Sequence, residues 1–112
     1  MINRYFYKSS ISGFIRSSTD FIFGQISRAD EMDSMSTQKF AWIVEIETMK
    51  RALQPWKHEA AEIIFEYSIP RLGKRIDVVV LLQERVFVIE FKAGETEFLH
   101  QNVDQVMDYA LD

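Results

Sequence analysis

Apolar residues recur along this chain with two different periods, and the changes of period mark its elements. Between about Gln38 and Gln54, Trp42, Ile46, Met49 and Leu53 fall at i, i+4, i+7 and i+11, which makes one stripe of an α-helix. Glu47, Lys50, Arg51 and Gln54 take the opposite face, and Pro55 ends the element. Glu45 breaks the division: three residues after Trp42 and four before Met49, it sets a carboxylate beside the buried stripe. Three strands follow. Glu62 to Ile69 is rich in β-branched and aromatic residues, and Pro70 to Lys74, with Gly73, has turn chemistry. Arg75 to Leu82 and Arg85 to Phe91 are nearly continuous apolar runs, the pattern of strands covered on both faces. After Gly94, Leu99, Val103, Val106 and Ala110 return to helical spacing and predict a second amphipathic helix to the end of the chain.

Ahead of these elements, residues 1–30 carry aromatic clusters (Tyr5, Phe6, Tyr7; Phe14, Ile15; Phe21, Ile22, Phe23) separated by Ser, Gly and Asp. They predict short helices or turns that cover the core, followed by a polar segment over Ser27 to Ser36 that reads as a loop or a weak helix start. The expectation is one domain, residues 1–112, with an N-terminal cover over 1–36 and a core over 37–112. Its fold class is an α/β (α+β) sandwich: a central mixed sheet with an antiparallel hairpin, flanked by helices.

Composition narrows this picture without changing it. A chain of 112 residues, 47% hydrophobic and 27% charged, is that of a globular domain. The absence of cysteine excludes disulfides and thiolate metal sites and fits a reducing compartment, so a cytoplasmic location is expected. Thirteen basic against 17 acidic residues argue against coating nucleic acid by bulk electrostatics, yet leave carboxylates for a metal site. No uncharged stretch approaches the roughly 20 apolar residues of a membrane span. The first 19 residues hold Arg4, Lys8 and Arg16 and no acid; transit peptides share that bias, but so does a short aromatic-rich helix packed on the domain, which is the expectation here.

Asp77 and Glu90 are the informative residues, because each interrupts an apolar run where an unpaired charge costs several kcal/mol in order of magnitude. If Gln83 and Glu84 form a two-residue hairpin loop, Leu82 pairs with Arg85. Five steps further along both strands, Asp77 then faces Glu90, with Cβ atoms about 4.5 to 5.5 Å apart. Strand alternation puts Lys92 on the same face as Glu90, and Phe87, Ile89 and Phe91 on the other. Two facing carboxylates repel unless a cation lies between them. A divalent ion with oxygen ligands, Mg²⁺ or Mn²⁺, answers that requirement. The backbone carbonyl of Phe91 is a further candidate ligand, and Lys92 is placed to orient or deprotonate a water. Singly, each residue reads as an edge position or an ion-pair partner. Their coincidence on adjacent strands in matching register favours the site.

Asp77, twelve intervening residues and then Glu90-Phe91-Lys92 resemble the PD-(D/E)XK phosphodiesterase motif, with Ile76 in place of the family's proline. Gln105 and Tyr109 resemble the Gln-x-x-x-Tyr motif that follows the core in RecB-like members. Glu45 matches the helical acid that often completes the metal shell. The strings FEYSIPRLGKRIDVV and VIEFKAG, with AWIVEI before them, are similar to the nuclease-like region ahead of a P-loop helicase-like ATPase in some bacterial proteins. The resemblance covers most of residues 5 to 112. It implies a restriction-endonuclease-like core in which Asp77, Glu90, the Phe91 carbonyl and Glu45 hold Mg²⁺ or Mn²⁺, while Lys92 acts on water. Gln105, Tyr109 and Arg75 would contact the substrate. The family core usually continues with another strand and helix, whereas this sequence ends at Asp112, so a truncated or minimal core is expected. No Walker-type loop is present.

Other polar residues carry less. His58 and His100 each lack a second His at metal-ligand spacing. Glu66 reads as a further acidic contributor or as an ion-pair partner of Arg71 or Arg75, and Arg71, Lys74 and Arg75 form a small basic cluster near a turn. The leading functional expectation is a metal-dependent nuclease acting on DNA. The alternative is a non-catalytic module that binds nucleic acid or docks on a helicase-like ATPase. An incomplete sheet would expose an edge and invite a homodimer. No membrane partner is expected, and association with DNA repair or phage defence rests on analogy of fold.

Overall fold

The computed structural model describes residues 4–30, 36–91 and 98–101. The chain enters through strand β1 (Tyr7–Ser10) and helix α1 (Ile11–Arg16), then α2 (Thr19–Ala29) and α3 (Ser36–Ala52). A single 3₁₀ turn at Gln54–Trp56 leads to β2 (Ala61–Ile69), and another at Pro70–Leu72 to β3 (Lys74–Leu82). β4 (Arg85–Phe91) and β5 (Phe98–Gln101) complete a five-stranded sheet in the order β1-β2-β3-β4-β5.

Local chemistry sets the helix starts. The Ser10 hydroxyl accepts from the Gly13 N–H at 3.0 Å, and the Ser18 hydroxyl accepts from Phe21 N–H at 3.1 Å. Each serine thereby satisfies a donor that the first helical turn leaves open. All three helices contribute to one core. Ile11 and Phe14 of α1, Ile22 and Ile26 of α2, and Trp42, Ile46 and Met49 of α3 pack with Ile63, Phe65, Val78, Val80 and Ile89 of the sheet. The stripe that defined α3 in the sequence is buried along its whole length, Leu53 included. Ile64, Ile69, Ile76, Val79 and Val88 form a second apolar layer on the other side of the sheet.

The hairpin register is the one the sequence predicts: Leu82 pairs with Arg85, and the ladder continues to Val78 opposite Ile89. Gln83 takes up the left-handed conformation at φ 54°, so the loop closes without glycine. At the preceding turn, Gly73 supplies a φ of 63°, a conformation that costs glycine nothing.

Three expectations need correction. Every described strand pairing is antiparallel, not mixed; for β2–β3 and β3–β4 the short connections permit no parallel pairing. The N-terminal cover contains a strand as well as helices: β1 pairs with β2, Tyr7 opposite Phe65. Leu99, expected to open the second helix, lies in β5 opposite Glu90. There the backbone of Leu99 pairs with the edge of β4. The remainder of that predicted helix lies outside the described residues. Among the described residues no helix is long and apolar enough to cross a membrane.

Candidate functional site

The strands do not alternate cleanly, and the exception builds the site. In β2, Ile63 and Phe65 face the helices and Ile64 faces away, yet Tyr67 and Ile69 lie on the far side. In β3, Val78 and Val80 face the helices, whereas Ile76 lies on the far side. Strict alternation would keep odd positions of β2, and even positions of β3, on one face. Both strands therefore switch faces at the same level, where Glu66 stands between Phe65 and Tyr67, and Asp77 between Val78 and Ile76. The pairs Phe65–Val78 and Tyr67–Ile76 bracket that level, and Glu66 takes φ 56° there. A left-handed backbone at a non-glycine residue costs on the order of 1–2 kcal/mol. Its consequence is that Glu66 reaches the helical side, where Oε1 accepts from the indole Nε1–H of Trp42 at 2.9 Å.

Four carboxyl groups from four elements meet around this switch. Glu45 of α3 is 4% exposed, as its place beside the apolar stripe predicts, and its Oε1 has no hydrogen-bond partner. Glu66 of β2 is equally buried, with Oε2 3.5 Å from Arg75 Nε. Asp77 lies one step beyond the last paired residues of β3 and β4, and its Oδ2 accepts from the Phe91 N–H at 2.8 Å. Glu90 of β4 lies close enough to Asp77 for the charge of Asp77 to act on it.

The electrostatics follow from this crowding. Burial pushes the Glu45 carboxyl up to about 9, reinforced by the charges of Asp77, Glu66 and Glu90. Burial and the neighbouring Asp77 push Glu90 up to about 7. Asp77 and Glu66 are also raised, first by burial, and are held back by the Phe91 N–H and by the Trp42 indole respectively; Arg75 opposes the shift in both.

The structure sets Asp77 and Glu90 near each other and Glu45 where their charges reach it, and sets Arg75 against Glu66. It adds Trp42, which the sequence showed only as a core residue, and gives Glu66 both its expected ion pair and a place among the acids. The signal for Glu66 was a carboxylate inside an apolar strand. Its left-handed backbone had no sequence signal, since the residue is not glycine or asparagine. Lys92, Gln105 and Tyr109 lie outside the described residues.

Among the described residues, no three His, Asp or Glu side chains are gathered closely enough to hold a metal ion. The donor chemistry nevertheless suits a hard divalent cation: carboxylate oxygens, one of them buried and without a hydrogen-bond partner. No family model, no curated protein and no solved structure matches this chain. The fold and site define it as an α+β protein with a buried acidic cluster at a break in its sheet.

Proposed function

We propose that this protein is a divalent-metal-dependent nuclease that hydrolyses phosphodiester bonds, with DNA as its substrate, on a restriction-endonuclease-like core. The observation that supports this best is the buried, unpartnered Glu45 Oε1 in the same acidic cluster as Asp77 and Glu90. Evolution of a purely structural core favours apolar groups there, since a buried acid without a partner costs several kcal/mol in order of magnitude.

Asp77, Glu90 and Glu45 would hold Mg²⁺ or Mn²⁺, with the Phe91 carbonyl as a further oxygen. When bound, the ion supplies positive charge against the phosphate and makes an attacking water easier to deprotonate. Lys92, immediately after Phe91, would orient that water and donate to the phosphate oxygens. Gln105 and Tyr109 would orient Lys92 or the substrate backbone, and Arg75 would contact a phosphate.

A second reading is favoured by the absence of a gathered three-ligand set among the described residues. On that reading the chain binds nucleic acid, or docks on a helicase-like ATPase, without cleaving. Calorimetric titration of Mn²⁺ into wild type and Asp77→Ala separates the two. Binding that disappears in the variant supports the nuclease. A folded wild type that takes up no Mn²⁺, even with an oligonucleotide present to complete the shell, removes it. Lys92→Ala is expected to abolish cleavage while leaving Mn²⁺ uptake intact; full activity in that variant would overturn the role given to Lys92.

A further inference from the structure

Arg75 occupies an unusual position at the rim of the acidic cluster. It belongs to β3 two residues before Asp77, and its side chain is 42% exposed while its partner Glu66 is buried. The contact to Glu66 is made through Nε, at 3.5 Å. The guanidinium lies over the Phe6 ring, 4.8 Å from its centroid. Phe6 in turn packs edge-on against Trp42, with centroids 6.2 Å apart, and Trp42 donates to the other oxygen of Glu66. Four side chains therefore close a ring: Glu66 fixes the Nε edge, Phe6 fixes the plane, and Trp42 fixes both Glu66 and Phe6.

An arginine held in this way loses its swing but keeps its fork. With Nε turned inward to a carboxylate and one face stacked, the Nη1 and Nη2 edge is the part left to the exposed side. That edge presents parallel N–H donors at the spacing of two oxygens of one phosphate group. Preorganisation matters because a free arginine side chain gives up rotamer freedom when it is immobilised, and one already held gives up less. The strained backbone at Glu66 becomes intelligible in the same terms: its left-handed φ is what carries the carboxylate to the side where it meets both Trp42 Nε1 and Arg75 Nε.

We propose that Arg75 is a preformed phosphate fork at the rim of the acidic cluster, and that Glu66 and Phe6 are positioning residues that aim it. The ligand chemistry is a phosphate oxygen pair, either the phosphodiester of a polynucleotide strand or the monoester of a free nucleotide. As a contact for a substrate strand the fork rests on the nuclease reading above. As a phosphate site it stands on its own geometry. Arg71, in the turn before β3, and Lys74, the first residue of β3, are its cationic neighbours in the sequence.

The test is equilibrium binding of a short labelled single-stranded oligonucleotide, with a nucleoside monophosphate and inorganic phosphate as separate probes, first in chelator and then with Mn²⁺. Wild type, Arg75→Ala, Arg75→Lys, Glu66→Gln and the Glu66→Gln/Arg75→Ala double variant are compared after their thermal melts establish folding. Arg75→Ala is expected to weaken binding about tenfold and to lower the salt slope by about one phosphate contact. Arg75→Lys should recover the salt slope but not the affinity, since an ammonium has no fork. Glu66→Gln keeps an oxygen for the Trp42 indole and removes only the charged anchor. It should weaken binding about threefold with the slope unchanged, and have no further effect once Arg75 is gone.

Tighter binding in Glu66→Gln would mean that Glu66 merely repels phosphate, and would overturn its positioning role. Wild-type affinity in Arg75→Ala, or no phosphate binding by folded wild type with any probe, would overturn the fork. Stronger binding of the oligonucleotide than of the monophosphate assigns the fork to a strand, and the reverse assigns it to a nucleotide; both support it. Arg75-dependent binding without Mn²⁺-dependent cleavage keeps the fork and removes the nuclease. Cleavage that is indifferent to Arg75 does the opposite.

Discussion

Glu45 is a carboxyl whose burial makes the stability of the fold depend on pH. Its carboxyl ionises near 4.5 in the ordinary way and is pushed up to about 9 in the folded protein, chiefly by burial. Between those values the folded chain holds a proton that the unfolded chain has released. Stability therefore falls as pH rises from about 4.5 to about 9, with a limiting slope of about 1.4 kcal/mol per pH unit for one proton. Glu90, raised to about 7, adds to the slope in the lower part of that window. Urea unfolding of the metal-free protein at several pH values should show this decline, and Glu45→Gln should flatten it and be more stable than wild type above neutrality. A wild type whose stability is level or rising across the window would show that Glu45 is not held protonated. The position of Glu45 was legible in the sequence from the spacing of Trp42 and Met49. The Glu66 backbone was not, because a left-handed glutamate follows from what its side chain must reach across the sheet.

At the scale of elements, the helices are joined by polar anchors as well as by the apolar stripe. Lys50 lies on the face of α3 that the sequence assigns to solvent, yet it is only partly exposed and its Nζ turns back to the end of α1. It donates to the carbonyl oxygens of Phe14 at 2.7 Å and Ile15 at 3.2 Å, and also to that of Ser17. These are carbonyls at the C-terminal end of a six-residue helix, which is too short to be stable alone. The cation also lies 5.0 Å from the centre of the Phe14 ring. Lys50→Met keeps the aliphatic stem and removes these bonds, so it should destabilise the fold by about 1–2 kcal/mol in urea melts. A change within a few tenths of a kcal/mol would show that water replaces the ammonium without loss. Periodicity located α3 and gave the bounds of β4, since those signals are local and repeat over several turns or residues. It missed β1 and misassigned Leu99, because a four-residue strand is defined by the partner edge and carries too few positions to show a period.

For the molecule as a whole, the acidic cluster is a junction. It draws one carboxyl from α3 and one from each of β2, β3 and β4, residues that are distant in sequence and come together only in the folded state. A cation that binds these groups must therefore bind the folded chain in preference to the unfolded one, and so raise its stability by mass action. The size of the effect is set by concentration: about 2.7 kcal/mol when free Mn²⁺ is a hundredfold above its dissociation constant. The same reasoning fixes its pH dependence. Carboxyls held protonated by burial must release their protons before they ligate, so the gain should be larger at pH 8 than at pH 6. Thermal melts with and without Mn²⁺ at those two pH values are expected to show a saturable rise in Tm for wild type. The rise should be abolished in Asp77→Ala, reduced in Glu45→Gln and reversed by chelator. An equal rise in wild type and Asp77→Ala would place the bound ion elsewhere on the surface and detach the buried acids from any metal. A rise confined to wild type and growing with pH would instead show that a cation bound by these acids offsets the cost of burying them at a break in the sheet.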